Sequence, residues 1–474
     1  MKREMFAGKR VLVMGLGRFG GGVDVARFAY LAGAKVTVTD LASAAQLNDS
    51  IHQLQELEGI EFHLGSHDPV DFEQADIIVA NPAVPGDNEF LQIARRAGKV
   101  VTSQVNIFFE LCPATIIGIT GANGKSTTTA LTAHLLTSTT YDIRHATYEN
   151  VWLSGNIGNR PLLTTVDQIK SDDVVVLELS SFQLEQLAQI QKAPKIALLT
   201  NLTPNHLDRH GTFANYCAAK ENIFKFQTPD EDTPAVSIFN AEDGIAAQWF
   251  EKYKSDPGRI CVKFSADDVS EEIRSVFSLP GRANLSNLAA AMTIARHFGV
   301  NDEQIKNCLP EFKGLPHRLE FVAEVDGIRW VNDSIATTPQ SAIVALEAFE
   351  QPVIIIAGGY DKNLPFDELG EKIAERAKAA ILVGQTAPKI SESIQKANTS
   401  LRAKRSNLNP SEIEINLVDS LAEAVQLANQ LAVTGDVVLL SPACASYDMF
   451  DNFEHRGKVF INLVRALSAK KANV

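Results

Sequence analysis

Short runs of apolar, mostly β-branched residues alternate with longer helix-like stretches along the whole chain, and this alternation limits the fold more than any other feature. The runs are residues 11–14, 35–39, 76–80, 116–120, 174–177, 196–200, 235–239, 328–331, 353–357, 380–383 and 437–440. Strands separated by helices are typical of parallel sheets. The sequence therefore predicts an α/β protein with mainly parallel sheets.

So many strands exceed what one twisted sheet usually holds, and the 474 residues are expected to form several domains. Two breaks indicate where the domains meet. A new strand begins after Pro113, and a Gly/Pro break lies at 314–316. The sequence predicts three domains, 1–112, 113–314 and 315–474, and a polar loop at 398–410.

Composition excludes several classes of protein. The 44 basic and 57 acidic residues give a net charge of −13, which argues against a nucleic-acid partner. The five cysteines form no C-x-x-C pair, so zinc or redox chemistry is not indicated and a reducing compartment fits best. Because neither a signal peptide nor a long apolar run is present, we expect a cytoplasmic protein with no membrane partner.

A glycine-rich loop follows the first predicted strand. Gly15, Gly17 and Gly20 have the G-x-G-x-x-G spacing, and Asp40 ends the next strand. Glycines allow a tight turn, the following helix N-terminus attracts a diphosphate, and the acid accepts from a ribose hydroxyl. The pattern favours a diphosphate ligand, either a nicotinamide dinucleotide or a UDP-sugar, and a purely structural turn is the alternative.

A second loop, G-A-N-G-K-S-T at 121–127, lies between the strand at 116–120 and a helix-like stretch. Its backbone N–H groups can hold phosphates, Lys125 brings positive charge to them, and the Ser126 hydroxyl can bind Mg²⁺. The spacing departs from the usual phosphate loop because Ile119 stands where the first glycine belongs. The first loop predicts a Rossmann-like N-terminal domain, and the second predicts a central P-loop ATPase-like domain. We expect the C-terminal domain to be Rossmann-like as well.

Two further groups follow predicted strands. Glu178 ends an apolar run, where a carboxylate is unfavourable without a partner, so a Mg²⁺ ligand is predicted and a cap or salt bridge is the alternative. His206 follows the strand at 196–200. Ligand sites lie at the carboxyl ends of parallel strands, which favours a functional histidine over a structural one.

The order of several motifs resembles that of the Mur ligases over nearly the whole chain. The motifs are GITGANGKST, LELSSFQLE, TNLTPNHLDRH, YCAAK, GRANLSN, GLPHRLE, NDSIATTP and SPACASYDMFDNFEHRG. The resemblance implies an ATP-dependent ligase of peptidoglycan precursor synthesis. ATP would phosphorylate the carboxylate of UDP-N-acetylmuramoyl-L-alanine, and the amine of D-glutamate would displace the phosphate to form an amide.

The resemblance also implies residue roles. Catalysis is assigned to Lys125, Glu178, His206 and Lys220, with Lys220 carbamylated, and Mg²⁺ to Ser126, Glu178, His206 and Lys220. The residues implied for ATP are Gly121, Asn123, Gly124, Lys125, Ser126, Thr127, Asn284, Asn287, Arg318 and Asp333. Those implied for the two substrates are Gly15, Leu16, Gly17, Arg18, Asp40, Asn156, Gln183, Thr337, Lys362, Ser446 and Phe453.

One departure from the family pattern keeps the amino acid open. Ile335 stands in NDSIAT where lysine is expected, which removes a cation near the reacting phosphates. L-glutamate is therefore an alternative to D-glutamate. An NAD-dependent oxidoreductase is a more remote alternative, because it leaves Glu178, His206, Lys220 and the C-terminal motif without a role. A non-catalytic nucleotide-binding scaffold is a third class, which would bind ATP and release no phosphate with any amino acid. A monomer is expected.

Overall fold

The protein is described by a computed structural model covering residues 2–18, 20–139, 148–155, 157, 162–228, 234–404 and 413–471. Its strands form three sheets. The strands are β1 Arg10–Met14, β2 Lys35–Asp40, β3 Glu61–Leu64, β4 Ile77–Ala80, β5 Val100–Thr102, β6 Thr115–Thr120, β7 Val151–Gly155, β8 Val174–Glu178, β9 Ile196–Leu199, β10 Ala235–Asn240, β11 Arg259–Phe264, β12 Glu320–Val325, β13 Ile328–Asn332, β14 Val353–Ala357, β15 Ala377–Val383, β16 Glu414–Val418 and β17 Val437–Leu440.

Helices connect most of the strands. They are α1 Gly21–Leu31, α2 Asn48–His52, α3 Pro69–Gln74, α4 Glu89–Arg96, α5 Gln104–Leu111, α6 Lys125–Thr139, α7 Ser181–Gln189, α8 Leu207–His210, α9 Phe213–Lys225, α10 Gly244–Tyr253, α11 Glu271–Arg274, α12 Arg282–His297, α13 Asp302–Cys308, α14 Pro339–Glu347, α15 Asp367–Arg376, α16 Ala387–Lys404, α17 Leu421–Leu431 and α18 Phe453–Lys471. None of the helices in the described ranges is both long and apolar enough to cross a membrane.

The first two sheets are parallel throughout their described pairings. The first has the order β3-β2-β1-β4-β5 and the second the order β11-β10-β9-β6-β8-β7. Their inner strands are apolar on both faces; β4, β8 and β9 are buried at every residue. Parallel pairing brings all carboxyl ends to one edge of each sheet, which is where both glycine loops begin.

The third sheet contains one antiparallel pair. Its order is β12-β13-β17-β14-β15-β16, and β12 pairs antiparallel with β13 while the remaining pairs are parallel. Trp330 on β13 is fully buried and packs against Phe460 of α18. The predicted fold class, α/β with mainly parallel sheets, is confirmed.

Contacts divide the chain into two compact units. The first contains 1–275 and 286–309, and the second contains 276–285 and 310–474. The first two sheets therefore lie in one unit and the third sheet in the other. The domain boundaries at 112/113 and 314/315 stay predictions; each falls in a connection between successive sheets.

All of the predicted strand segments form strands, with ends shifted by up to three residues. The prediction of a loop at 398–410 is wrong in its first part, because α16 continues to Lys404. Residues 405–410 of that segment lie outside the described ranges. Polar residues on an exposed helix face and in a loop have the same composition, so composition did not locate the end of the helix.

Candidate active site

The glycine loop after β1 is held by the acid that the sequence singled out. Asp40 accepts hydrogen bonds from the N–H groups of Gly17 (3.1 Å) and Ala42 (2.8 Å). Gly15 has a φ of 91°, and a Cβ there would lie 2.9 Å from Asn81 Cβ. The carboxylate of Asp40 therefore shapes the loop, in addition to its predicted contact with a ribose.

The helix after this loop approaches it very closely. A Cβ on Gly22 would lie 2.3 Å from the carbonyl oxygen of Leu16, so the first turn of α1 requires glycine there. Leu16 is itself completely buried, whereas Arg18 is exposed. The backbone of the loop and the Arg18 side chain are the parts open to a ligand.

The phosphate loop between β6 and α6 is fixed by the residues that follow β9. Asn201 accepts from Ala122 N through its carbonyl oxygen (2.8 Å) and from Asn123 N through Oδ1 (2.9 Å). Thr200 Oγ1 donates to the carbonyl oxygen of Asn123 (2.6 Å). A Cβ on Gly121 would lie 1.9 Å from Thr200 Oγ1, which makes glycine necessary at this position.

The end of the phosphate loop meets α6 and α12. Lys125 begins α6 and donates through Nζ to the carbonyl oxygen of Ala122 (2.9 Å). Asn287 Oδ1 accepts from Thr128 Oγ1 (3.3 Å) and lies beside Gly124, where a Cβ would be 2.2 Å away. Asn287, predicted to bind ATP, is therefore placed against the phosphate loop. A helix N-terminus and a lysine at one loop form an anion-binding site.

A second lysine is buried beneath the same loop. Lys220 is 2% exposed and donates through Nζ to Thr120 Oγ1 (2.9 Å) and to the carbonyl oxygen of Gly121 (3.0 Å). Burial lowers the pKa of Lys220 well below its ordinary value, the nearby positive charge of Lys125 lowers it further, and the buried Glu178 acts in the opposite direction. Burial of Lys220 therefore disfavours its charged form.

His206 lies near these cations. Its backbone is left-handed, with a φ of 51°, and its ring packs edge-on against Phe182 with the centroids 5.2 Å apart. Burial lowers the pKa of His206, and the charges of Lys220 and Lys125 lower it further. A neutral imidazole is the form that binds metals.

Gln183, predicted to lie along the muramoyl-alanine, forms a capping box with Ser180 at the start of α7. Its Oε1 accepts from the N–H of Ser180 (2.9 Å) while Ser180 Oγ accepts from Gln183 N (3.2 Å). This reciprocal pair holds the turn that follows Glu178. Asn156, the other residue predicted along the sugar, lies outside the described residues.

The second unit places Asp333 and Arg318 near each other. Asp333 is fully buried and accepts from Ser441 Oγ (2.8 Å) and from Leu319 N (3.2 Å). Burial raises the pKa of Asp333 to about 7, although Ser441 and the charge of Arg318 oppose the rise. Asn284, also predicted to bind ATP, donates through Nδ2 to the carbonyl oxygen of Pro280 (2.7 Å).

A buried arginine that the sequence reading passed over lies beside Ser446 and Phe453, two of the residues predicted for the amino acid. Arg456 donates to Ser334 and to the carbonyl oxygens of Cys444 and Ala445, at 2.8–3.3 Å. The carbonyl oxygen of Phe453 accepts from Ser334 Oγ (2.8 Å). Arg456, on the first turn of α18, therefore holds residues 444 and 445, which precede Ser446, against the start of that helix.

The exposure of the remaining predicted residues differs. Ser446 is buried, Thr337 and Phe453 are half-buried, and Lys362 is exposed.

Thr120, Thr200 and Asn201 are functional candidates that the sequence reading missed. They end β6 or follow β9 inside motifs already singled out, so their position at carboxyl ends of strands was the available signal.

These features define an ATP-using α/β enzyme, because a phosphate loop with two lysines lies beside the buried carboxylate of Glu178 and the imidazole of His206. Family models match the chain in three parts: the Mur ligase MurD-like, N-terminal domain over 9–103, the Mur ligase middle domain over 119–278, and the Mur ligase, glutamate ligase domain over 317–444. The chain belongs to the Mur ligase family, whose members are ATP-dependent, amide-bond-forming ligases.

Individual relatives match almost end to end. The UDP-N-acetylmuramoylalanine–D-glutamate ligase of Roseiflexus sp. (strain RS-1) is 40% identical, over 98% of this chain and 99% of the relative. That of Acetivibrio thermocellus is 37% identical, over 98% of each chain. The structure of the MurF ligase of Thermotoga maritima in complex with ADP is 16% identical, with a TM-score of 0.55 over 98% of this chain and 97% of that one, which is a likeness of fold.

Proposed function

We propose that the protein joins D-glutamate to UDP-N-acetylmuramoyl-L-alanine in the cytoplasm, with ATP converted to ADP and phosphate. The observation that carries the proposal is the phosphate loop with Lys125 at its end and Lys220 buried beneath it. The end-to-end likeness to ligases named for D-glutamate supports the choice of amino acid.

The alanyl carboxylate of the substrate is a poor electrophile, so it has to be activated before an amine can attack it. An oxygen of the alanyl carboxylate attacks the γ-phosphorus of ATP, the bond to ADP breaks, and an acyl phosphate forms. The glutamate amine then attacks the acyl carbon, loses a proton, and phosphate leaves as the amide forms. Both reactants are anionic, so Lys125 and the backbone N–H groups of the loop have to offset the charge as the phosphoryl group transfers.

The donor set near the loop fits Mg²⁺. Ser126 would supply a hydroxyl, Glu178 a carboxylate and His206 a neutral imidazole, each at the carboxyl edge of the second sheet. A bound Mg²⁺ would neutralise phosphate charge there. His206 suits this role because burial lowers its pKa and so favours the neutral ring that can bind a metal.

Lys220 fits the carbamate that the family resemblance implies. A neutral lysine amine can attack CO₂: an N–C bond forms, one C–O π bond breaks, and the nitrogen loses a proton, which converts the amine into an anionic carbamate. The burial of Lys220 and its lowered pKa favour the neutral amine. The resulting carboxylate would add a metal ligand beside Glu178.

The remaining roles follow the same assignment. The glycine loop, Arg18 and Asp40 would bind the UDP portion, and Asn156 and Gln183 the muramoyl-alanine portion. In the second unit, Asn284, Arg318 and Asp333 would contact ATP, as would Asn287 in the first. Thr337, Lys362, Ser446 and Phe453 would receive glutamate, whose two carboxylates need charged or hydroxyl donors.

The test is phosphate release with UDP-N-acetylmuramoyl-L-alanine, ATP and each pure enantiomer of glutamate. We expect turnover with D-glutamate and none above background with L-glutamate. L-glutamate is kept as the second candidate because Ile335 replaces the family's lysine, and turnover with it alone would establish that reaction. Release with neither enantiomer would contradict the ligase, and binding of NADH in preference to a UDP-sugar would support the oxidoreductase alternative.

A further inference from the structure

Asp24, on the first turn of α1, accepts an unusual number of hydrogen bonds for one buried carboxylate. Its Oδ2 accepts from Leu162 N (3.0 Å), Leu163 N (2.8 Å) and Gln104 Nε2 (2.7 Å). Its Oδ1 accepts from Thr164 N (3.0 Å) and Thr164 Oγ1 (2.7 Å). The residue is 6% exposed, so these donors replace water around the charge.

These bonds join parts of the chain that belong to different sheets. Asp24 follows the glycine loop of the first sheet, whereas residues 162–164 lie between β7 and β8 of the second sheet. Other side chains also connect these parts: Gln186 Nε2 donates to the carbonyl oxygen of Ala80 (3.3 Å), Arg209 Nη2 donates to that of Val84 (3.2 Å), and Arg3 forms an ion pair with Asp167. Gln186 and Arg209 each make one such bond, and the Arg3–Asp167 pair is partly exposed, whereas Asp24 is buried and accepts three backbone N–H bonds from residues 162–164.

We propose that Asp24 is a positioning residue that fixes the glycine loop at a set distance from the second sheet. The inference rests on the proposed function, in which one long substrate is bound at both places: UDP at the glycine loop and muramoyl-alanine beside the second sheet. Asp24 is buried, its carboxylate oxygens are bonded to the protein, and it is assigned to neither end of the substrate. It acts by holding the two binding regions at a fixed distance from each other.

The physical reason is that a two-part ligand gains affinity only when both parts are bound at once. The second contact is effectively intramolecular, and the gain is lost when the spacing between the two regions is not maintained. Loss of Asp24 should therefore weaken binding of the intact substrate while leaving UDP alone unaffected. General destabilisation of the glycine loop would instead weaken both ligands equally.

The chain offers a matched control for this test. Asp173 is also a buried carboxylate with several donors, but all of them lie in the part of the chain that builds the second sheet. It accepts from Asn150 N (3.1 Å), Asn150 Nδ2 (2.9 Å), Trp152 Nε1 (2.8 Å) and Lys170 N (2.9 Å). Asp173→Asn should lower stability as Asp24→Asn does, without changing the spacing between the two sheets.

The experiment measures binding of UDP-N-acetylmuramoyl-L-alanine and of UDP to the full-length wild-type, Asp24→Asn and Asp173→Asn proteins by titration calorimetry. We expect Asp24→Asn to weaken the intact substrate by about 10- to 100-fold and UDP by less than about twofold. Asp173→Asn should leave both affinities unchanged. An equal loss for both ligands, or no loss for the intact substrate, would overturn the inference.

A second variant and a second measurement distinguish failure of this inference from misfolding of the variant and from failure of the proposed function. If Asp24→Asn does not fold, Thr164→Val removes only the Thr164 Oγ1 bond, and it should shift the same affinity ratio by a smaller factor. Hydrogen exchange of the Leu162 and Leu163 amides should accelerate in Asp24→Asn whether or not the protein is a ligase. Failure of the wild type to bind either ligand would contradict the proposed function, whereas unchanged exchange in the variant would contradict the inference alone.

Discussion

The glycine loop after β1 and the phosphate loop after β6 have the same place in their sheets. Each follows the first strand of its sheet in chain order, each contains several glycines with positive φ, and each leads into a helix. They differ in what holds them. Acidic Asp40 binds the backbone of the first loop, whereas the neutral side chains of Thr200 and Asn201 bind the second.

The positive charges of the two loops also differ in position. Lys125 at the end of the phosphate loop donates back to the loop through the carbonyl oxygen of Ala122, whereas Arg18 of the first loop is exposed. The same local backbone can therefore serve two purposes. Backbone N–H groups are sufficient to bind a diphosphate, but transfer of a phosphoryl group needs cations where charge develops.

The largest effect is expected from Lys125→Ala, which removes the cation that distinguishes the second loop. We expect kcat to fall by about 10³-fold, because a positioned charge next to the transferring phosphoryl group is lost. The thermal midpoint should change little, since Lys125 is only partly buried. Phosphate-release kinetics check this, with Lys192→Ala, an exposed lysine, as control. Near-normal ligation by a folded Lys125→Ala variant would contradict the role assigned to Lys125, which is the difference between the two loops that this variant tests.

Lys220→Ala should have the next largest effect. We expect a loss of about 10²-fold in kcat, because the predicted carbamate and its metal-binding carboxylate disappear. Acetate added at high concentration should restore part of the activity by filling the space that the side chain leaves. The control is the Lys125→Ala variant with the same concentration of acetate, whose activity should not recover. Equal recovery of both variants, or of neither, would contradict the carbamate.

A comparison of Gly121→Ala with Gly17→Ala tests how tightly each loop is packed. A Cβ on Gly121 would lie 1.9 Å from Thr200 Oγ1, whereas one on Gly17 would lie 3.8 Å from Asn81 Nδ2. We expect Gly121→Ala to reduce the free energy of unfolding by about 3 kcal/mol, from overpacking and strain together. Gly17→Ala, with a φ of 62°, should cost about 1 kcal/mol. Chemical denaturation measures both, and the reverse order would show that the contacts of the second loop are not as described.

The smallest effect is expected from Ile335→Lys, which adds a cation to the second unit instead of removing one from the phosphate loop. Ile335 is half-buried, and its N–H donates to the carbonyl oxygen of His317 (3.1 Å). We expect kcat to change by less than about tenfold, since an added, partly solvated charge interacts weakly. The preference for one glutamate enantiomer should not change. Kinetics with both enantiomers check this, and a reversed preference would mean that residue 335 selects the amino acid.

The strands that the sequence did not predict share one property. They are β3, β5, β7, β11, β12 and β16, and each is an outer strand of its sheet. The residues of β3 and β16 are all exposed or half-buried, whereas every residue of the inner strand β14 is buried. A run of apolar residues indicates a strand only when both faces are buried, so outer strands have a weak local signal.

The sequence by itself determined the fold class, the inner strands and both glycine loops, because apolar runs and glycine spacing depend on residues close together in the chain. Only the tertiary structure decided the environments of Lys220, Asp24 and Arg456. The motif alone suggests that Lys220 is a surface lysine, whereas its burial beneath Gly121 lowers the pKa of its amine. Burial and pairing depend on segments far apart in sequence, and these interactions set the charge and position of each side chain.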